Sequence, residues 1–359
     1  MNIRALTIPS IMITLFGASA ITYAKSSDTT KKTPIGIPSK PDKDMQTVLD
    51  ALKALHGKPI EKLTPAEARL QPTPTDAVKK VLVKQGKPTT PLAIASVKDV
   101  SIPNPNGPIP AHIYTPEGAG PFPVIVYFHG GGFVLADTKV YDASIRELAN
   151  NTQAIVVSVD YHSAPEDKFP TQPNEAYRAF KWALVHANEF NGDAKRVAVA
   201  GESAGGNLAA VVSLMARDKK ETMPIHELLI YPVVDNDMKN SSYRKYANAK
   251  PLNAAMMKWF FSHYIFQPSE ANSLYAFPNK ASSLKGLPPT TIITAEIDPL
   301  FTEGEKFANR LQQEGVPVAY KHYTGVTHEF FGMGSVVAKA REAQQFAAEE
   351  LKKSFNTTQ

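Results

Sequence analysis

Residues Arg196 to Ala200 run without a break into Gly201-Glu202-Ser203-Ala204-Gly205-Gly206-Asn207, and no other juncture constrains the fold so tightly. The apolar run predicts a strand and the small-residue run a helix, with a Gly-x-Ser-x-Gly turn between them. A serine raised on so sharp a turn takes a strained backbone. The residues two before and two after it must then lack a β-carbon, and Gly201 and Gly205 satisfy that. The helix that follows points its amino end at the serine oxygen and favours negative charge there, the setting of a nucleophile. The plainer alternative is a glycine-rich turn with an incidental serine.

The rest of the chain repeats this rhythm. Val124 to Phe128, Ala154 to Val159, Leu228 to Tyr231 and Thr291 to Thr294 are short apolar runs, most of them separated by helical stretches. Such runs are buried on both faces, so they predict an α/β fold with a mostly parallel central sheet and helices on both faces. Val97 to Ile102 and Ile109 to Tyr114 flank Pro-Asn-Pro-Asn-Gly as a hairpin. Val318 to Tyr323 is the expected last strand and Val336 to Phe355 a closing helix. Ahead of the sheet, Met45, Val48, Leu49, Leu52 and Leu55 recur at helical spacing and stop at Gly57. Thr64-Pro65-Ala66-Glu67 starts a second helix and Thr75 to Lys84 is a third. About sixty residues separate Tyr231 from Thr291, too many for an ordinary connection. Within them Met256, Met257, Trp259, Phe260, Phe261 and Tyr264 make a dense apolar helix, read either as core or as a lid or pocket wall.

The amino end is a different kind of sequence. Arg4 is followed by an uncharged stretch up to Lys25, interrupted by Pro9 and Gly17, whose strongly apolar centre is shorter than a membrane span needs. Thr22-Tyr23-Ala24 fits a small-x-small cleavage site. Residues 1–24 are therefore expected to be a signal peptide cut after Ala24, with a cut after Ala20 or an uncleaved anchor as alternatives. A secreted or periplasmic protein without a stable membrane span would result. Residues 25–43, rich in Ser, Thr, Lys and Pro, are expected to be a flexible leader. The chain has no cysteine, which excludes disulfides, thiolate metal sites and a cysteine nucleophile. Its charge of +5 is a small excess of 39 basic over 34 acidic residues spread along the chain, and argues against a nucleic-acid partner.

Chemistry gathers at the ends of the expected strands. His129-Gly130-Gly131-Gly132-Phe133 follows Val124 to Phe128, and three glycines leave amide groups free to meet a developing oxyanion. Gly130, Gly131 and Ala204 are the expected donors, with His129 shaping the loop rather than moving protons. A serine needs a base, and the base needs an acid to hold its tautomer. Of nine histidines, His328 lies directly after the last expected strand, and Asp298 directly after Thr291 to Thr294. Both emerge at carboxyl ends of strands, where open α/β sheets place their sites. Glu296 and Asp235 compete with Asp298 as the acid, and Glu202 reads as a structural hydrogen-bond acceptor. The chain order Ser203, Asp298, His328 is that of the α/β-hydrolase fold.

His-Gly-Gly-Gly-Phe, Gly-Glu-Ser-Ala-Gly-Gly-Asn, Asp-Pro-Leu and His-Glu-Phe, in that order over residues 96–355, resemble the hormone-sensitive-lipase-like family of α/β-hydrolases, which includes bacterial esterases and arylacetamide deacetylase. Asp160-Tyr161-His162-Ser163-Ala164-Pro165-Glu166 resembles the family's Asp-Tyr-Arg-Leu-Ala-Pro-Glu, with His162-Ser163 in place of Arg-Leu. That replacement puts an arginine-based support of this loop in doubt. The resemblance implies a catalytic domain over 96–359 under a helical cap, built from 44–95 and an insertion at about 236–275. It implies a serine esterase for small apolar or aryl esters of short to medium acyl chain, working through a Ser203-His328-Asp298 triad and an acyl-enzyme without metal or cofactor. Amide or lactam hydrolysis, or acyl transfer, could use the same triad. A non-catalytic binding protein, like the plant gibberellin receptor that lacks the histidine, fits less well because His328 is present. Relatives form homodimers, and the sequence leaves that state open here.

Overall fold

Every residue of the strand Phe122–Phe128 is buried, and its side chains alternate between two separate apolar layers. Val124, Val126 and Phe128 enter one layer, and Ile125 and Tyr127 the other. That period of two, buried on both sides, makes this segment the middle of a sheet covered by helices. The computed structural model describes residues 39–357. The expected signal peptide and most of the expected leader lie outside the described residues.

Among the described residues, three helices, α1 (Lys43–Lys53), α2 (Pro65–Ala68) and α3 (Pro74–Lys84), precede the sheet. The strands and helices then follow as β1 (Ser96–Ile102), β2 (Ile109–Thr115), β3 (Phe122–Phe128), α4 (Asp142–Thr152), β4 (Ile155–Val159), α5 (Thr171–His186), β5 (Gly192–Glu202), α6 (Ala204–Lys219) and β6 (Glu227–Ile230). After α7 (Ser241–Lys245) and α8 (Ala254–Tyr264) come β7 (Thr290–Ile297), α9 (Phe301–Gln313), β8 (Val318–Thr327) and α10 (Ala338–Thr357). The eight strands form one sheet in the order β1-β2-β4-β3-β5-β6-β7-β8. The β1–β2 and β2–β4 pairs are antiparallel and the rest parallel. α5, α6 and α9 contribute to one apolar layer, and α1, α3, α4 and α10 to the other. Each fully buried Val, Leu or Ile in these layers contributes roughly 1.5–3 kcal/mol of hydrophobic stabilisation.

Local chemistry explains most boundaries. Thr64 and Thr73 each cap a helix, accepting from the amides of Glu67 and Asp76, whose carboxylates reach back to the threonine amides. The first helix closes differently from expectation. Its turn is made by His56 at φ 54°, one residue before Gly57. The last residues of the expected leader are tied down. The Asp42 amide donates to the Gly325 carbonyl at 2.8 Å, Asp42 pairs with Lys339 at 2.7 Å, and the Ser39 hydroxyl donates to Glu296. Charged and polar partners on β7, β8 and α10 therefore order a stretch whose composition alone gives it nothing to bury. Among the described residues no helix is long and apolar enough to cross a membrane.

Candidate active site

Ser203 stands between β5 and α6 at φ 56° and ψ −115°, a left-handed conformation that L-residues avoid. Backbone contact holds it there. A β-carbon on Gly201 would lie 2.2 Å from the Gly205 oxygen, and one on Gly205 would lie 1.9 Å from the Phe128 oxygen in β3. The Ser203 amide donates to the Ile230 carbonyl at 2.9 Å, and its carbonyl accepts from Val233 at 3.2 Å. The serine is thus clamped between the ends of β3, β5 and β6.

The structure brings Ser203, His328 and Asp298 into one hydrogen-bonded chain, all three buried. His328 Nε2 lies 2.9 Å from Ser203 Oγ, and His328 Nδ1 lies 2.6 Å from Asp298 Oδ2. The other Asp298 oxygen accepts from the Leu300 amide at 2.8 Å, which fixes the carboxylate's plane. Burial disfavours a charged imidazole, but the Asp298 carboxylate and its hydrogen bond, followed by Glu329 and Glu202, outweigh it and raise the His328 pKa above 6.5. The competing acids are engaged elsewhere. Glu296 accepts from Ser39 and the Gly325 amide, and Asp235 accepts from Asn279 and pairs with Lys280.

The glycine loop after β3 is shaped by its own contacts. His129 donates from Nδ1 to the Gly130 carbonyl at 2.8 Å and stacks on Tyr161 with ring centroids 4.4 Å apart. The Tyr161 hydroxyl donates to the His129 carbonyl at 2.9 Å. Gly131 (φ 97°) and Gly132 (φ 63°) use backbone conformations open to glycine, and both line the cavity that contains Ser203 and His328. Gly130 and Ala204 are not among the residues lining that cavity, whereas Gly132, which the sequence reading passed over, is. The amides of Gly131, Gly132 and Ala204 take no acceptor among the described residues.

The cavity has a volume of about 670 Å³. One wall comes from the amino-terminal segment, including Leu49, Leu52 and Ile60, and another from the long insertion, including Leu252, Met256 and Phe260. The aromatic helix α8 is therefore a cavity wall, and Trp259 ties it to the amino-terminal segment by donating from Nε1 to the Leu63 carbonyl at 3.1 Å. Arg69, at the end of α2, supplies the support that His162-Ser163 left in doubt. Its guanidinium grips Glu166 at 2.8 and 2.7 Å and donates to the carbonyls of Ala164 and Val134, both at 2.9 Å. That pairing holds the Glu166 carboxyl at about 2. No local pattern marks Arg69, because its partners are 65 to 97 residues away in sequence. Among the described residues no group of three or more His, Asp or Glu side chains is placed to hold a metal ion.

Behind the histidine lies a second acidic layer. Glu202 is fully buried and accepts from Tyr127 at 2.6 Å and from Tyr231. Burial first, and then the charge of Glu329, push it up to about 7. An acid raised on folding stabilises the native state below its unfolded pKa and loses that contribution as pH climbs through the folded one. Glu202→Gln should therefore gain stability relative to wild type between about pH 4.5 and about pH 7. Urea midpoints across that range test this, and a difference independent of pH would contradict it. Gly205→Ala should lower stability by about 3 kcal/mol, because the clash is with the backbone of β3 and cannot be relieved by a rotamer change. An unchanged urea midpoint would count against the clamp described above.

Comparison with known proteins agrees with this architecture. A family model described as the alpha/beta hydrolase fold matches residues 125–332. The chain is 39% identical over 246 residues to the carboxylic ester hydrolase LipN of Mycobacterium tuberculosis, covering 66% of this chain and 65% of that one. It is 31% identical over 260 residues to the ethyl acetate hydrolase of Pseudomonas putida, covering 71% of this chain and 82% of that one. The crystal structure of a thermostable esterase from Pseudomonas putida superposes with a TM-score of 0.80 at 35% identity, over 89% of this chain and 99% of that one. With the ordered motifs, the eight-stranded sheet and these matches together, the chain belongs to the hormone-sensitive-lipase-like esterase family of the α/β-hydrolases.

Proposed function

We propose that this chain is a serine carboxylesterase acting on small apolar or aryl esters of short to medium acyl chain. The observation that carries the reading is the unbroken Asp298-His328-Ser203 hydrogen-bond chain facing a partly open cavity with largely apolar walls. The names of the relatives as ester hydrolases support the reaction class, and that of the ethyl acetate hydrolase supports a short-chain ester.

In this mechanism Ser203 Oγ attacks the ester carbonyl while its proton passes to His328 Nε2. Asp298 holds the imidazole with Nδ1–H directed at its carboxylate, so the attacking side of the ring is the free base. The tetrahedral oxygen is received by the amides of Gly131, Gly132 and Ala204. Gly132 takes the place of Gly130, the donor expected from sequence, in this proposal because it lines the cavity beside Gly131, while Ala204 is kept as the residue next to Ser203 at the amino end of α6. Each such donor is worth on the order of 3 kcal/mol in the transition state. His328 then returns its proton to the leaving alcohol, and a water deprotonated by the same nitrogen releases the acid. An exported site of action, following cleavage after Ala24, remains part of the proposal on the sequence of residues 1–24.

The purified protein should hydrolyse nitrophenyl esters with a peak along a series from acetate to palmitate. Ser203→Ala should lower kcat about 10⁴-fold or more, while ester binding persists. Wild-type kcat/KM should rise through an acid limb above about pH 6.5, where the raised His328 loses its proton. Undiminished turnover by Ser203→Ala would end this reading.

A further inference from the structure

Glu329 is left without a task by the mechanism above, yet it occupies a costly position. It follows the proposed base directly and sits at φ 67° and ψ 6°, a left-handed conformation that glycine takes freely and a residue with a β-carbon does not. Strain at a cavity wall invites a functional explanation. The side chain is one-fifth exposed and lines the same cavity as Ser203. Its Oε1 lies 3.9 Å from His328 Nε2, the nitrogen that also faces Ser203 Oγ at 2.9 Å. The same oxygen accepts from the Tyr141 hydroxyl at 2.8 Å. Tyr141 is itself buried at the start of α4, with its hydroxyl hard against Gly130 of the glycine loop.

We propose that Glu329 is a positioning residue for the base: its carboxylate, held by Tyr141, stabilises the imidazolium of His328 and keeps the Nε2–H edge turned toward the reacting oxygens. The inference rests on His328 being the base assigned above. Asp298 acts on the far nitrogen, Nδ1, whereas Glu329 acts on the near one. Two carboxylates on opposite edges of one ring resist its rotation when it becomes charged. No proton transfer to Glu329 is involved. At 3.9 Å its oxygen is too far to compete for the Nε2 proton as a hydrogen-bond acceptor, and close enough for Coulomb attraction in a buried site.

The groups facing this pair come from every element packed around it. Asp298 follows β7, Ser203 and Glu202 close β5, and the Tyr231 ring, after β6, lies 4.5 Å from the His328 ring. Tyr141 belongs to the α4 start, and Tyr127 of β3 acts through Glu202. Burial, with a smaller push from Asp298, raises the Glu329 pKa overall, while the charge of His328 and the Tyr141 hydrogen bond act in the opposite direction.

The experiment is the pH profile of kcat/KM for nitrophenyl butyrate, with wild type, Glu329→Gln and Glu329→Gly. Glutamine keeps an acceptor for Tyr141 and removes the charge. Glycine removes the side chain and relieves the backbone, which keeps the test available should the glutamine variant fold poorly. The acid limb should move down by about 1 pH unit in each variant, since losing an opposite charge at this distance lowers the histidine pKa. A limb that stays at the wild-type pH in the folded variants overturns the inference and leaves the base assignment standing. His328→Ala that hydrolyses the ester at the wild-type rate overturns the base assignment, and this inference with it.

Discussion

Ser203 cannot hold φ 56° by its own preference, and the arrangement around it depends on the backbones that force it there. A conformation of this kind costs of order 1–3 kcal/mol, so the surrounding packing must over-determine it. The register of the sheet supplies that packing. Phe128 pairs with Gly201, Glu202 with Ile230, and Ile230 leads to Ile293 on the next strand. Adjacent parallel strands therefore end at nearly one level. The loop carrying Gly131 and Gly132 leaves β3 beside the place where Ser203 leaves β5, and Asp298 and His328 leave β7 and β8 immediately after their own paired ends at Ile297 and Thr327. Convergence of four sequence-distant segments is a property of strand register, so it requires no contact designed between the loops themselves.

The electrostatics follow from the same crowding. A ring that must gain and lose charge is enclosed by buried side chains, which would ordinarily hold it neutral. The carboxylates of Asp298, Glu329 and Glu202 together reverse that preference for His328. The cost is transferred to the acids, since Glu202 and Glu329 are both raised, chiefly by burial. Tyrosine hydroxyls from three different elements, at Tyr127, Tyr141 and Tyr231, limit that cost by donating to them. His129 is also fully buried, and there burial outweighs the pull of Asp160 at 3.9 Å, so its pKa is lowered instead, which suits a neutral role in its loop.

What could be read in advance was whatever local sequence encodes. The eight strands announced themselves as apolar runs, the cap of α2 as a threonine before proline, and Ser203, Asp298 and His328 as residues directly after strands, whereas the Thr73 cap of α3 lies two residues before the expected start at Thr75. Lengths were less legible. β5 begins at Gly192 because Gly192 pairs with Phe122, although Asp193, Lys195 and Arg196 give that stretch no apolar signature. That Gly132 and not Gly130 lines the cavity was hidden because three identical residues differ only in what surrounds them. Glu329 looked like part of a motif, and its relation to His328 Nε2 depends on a left-handed turn that sequence spacing does not express. Arg69 was the least visible, since it braces two loops of the catalytic domain from outside that domain's expected boundary.

These hidden contacts share a consequence for the cavity. A β-carbon on Gly132 would come within 2.3 Å of the Phe260 ring, so the glycine loop and the aromatic helix α8 are in direct contact. Phe133, the next residue, stacks under Tyr264 from the same helix at a centroid distance of 3.8 Å. Arg69 binds the Val134 carbonyl one residue further on. Three successive positions, 132 to 134, are thus fixed by the insertion and the amino-terminal segment rather than by the sheet. A wall that selected substrate shape independently could be exchanged without disturbing the chemistry. Here Phe260 of α8, which shapes the pocket, also packs against Gly132, one of the amides proposed for the oxyanion, so a change in α8 that enlarges the cavity would also loosen that donor. On the proposed mechanism, pocket shape and transition-state stabilisation are therefore coupled through Gly132, and widening the cavity at Phe260 would carry a cost in turnover.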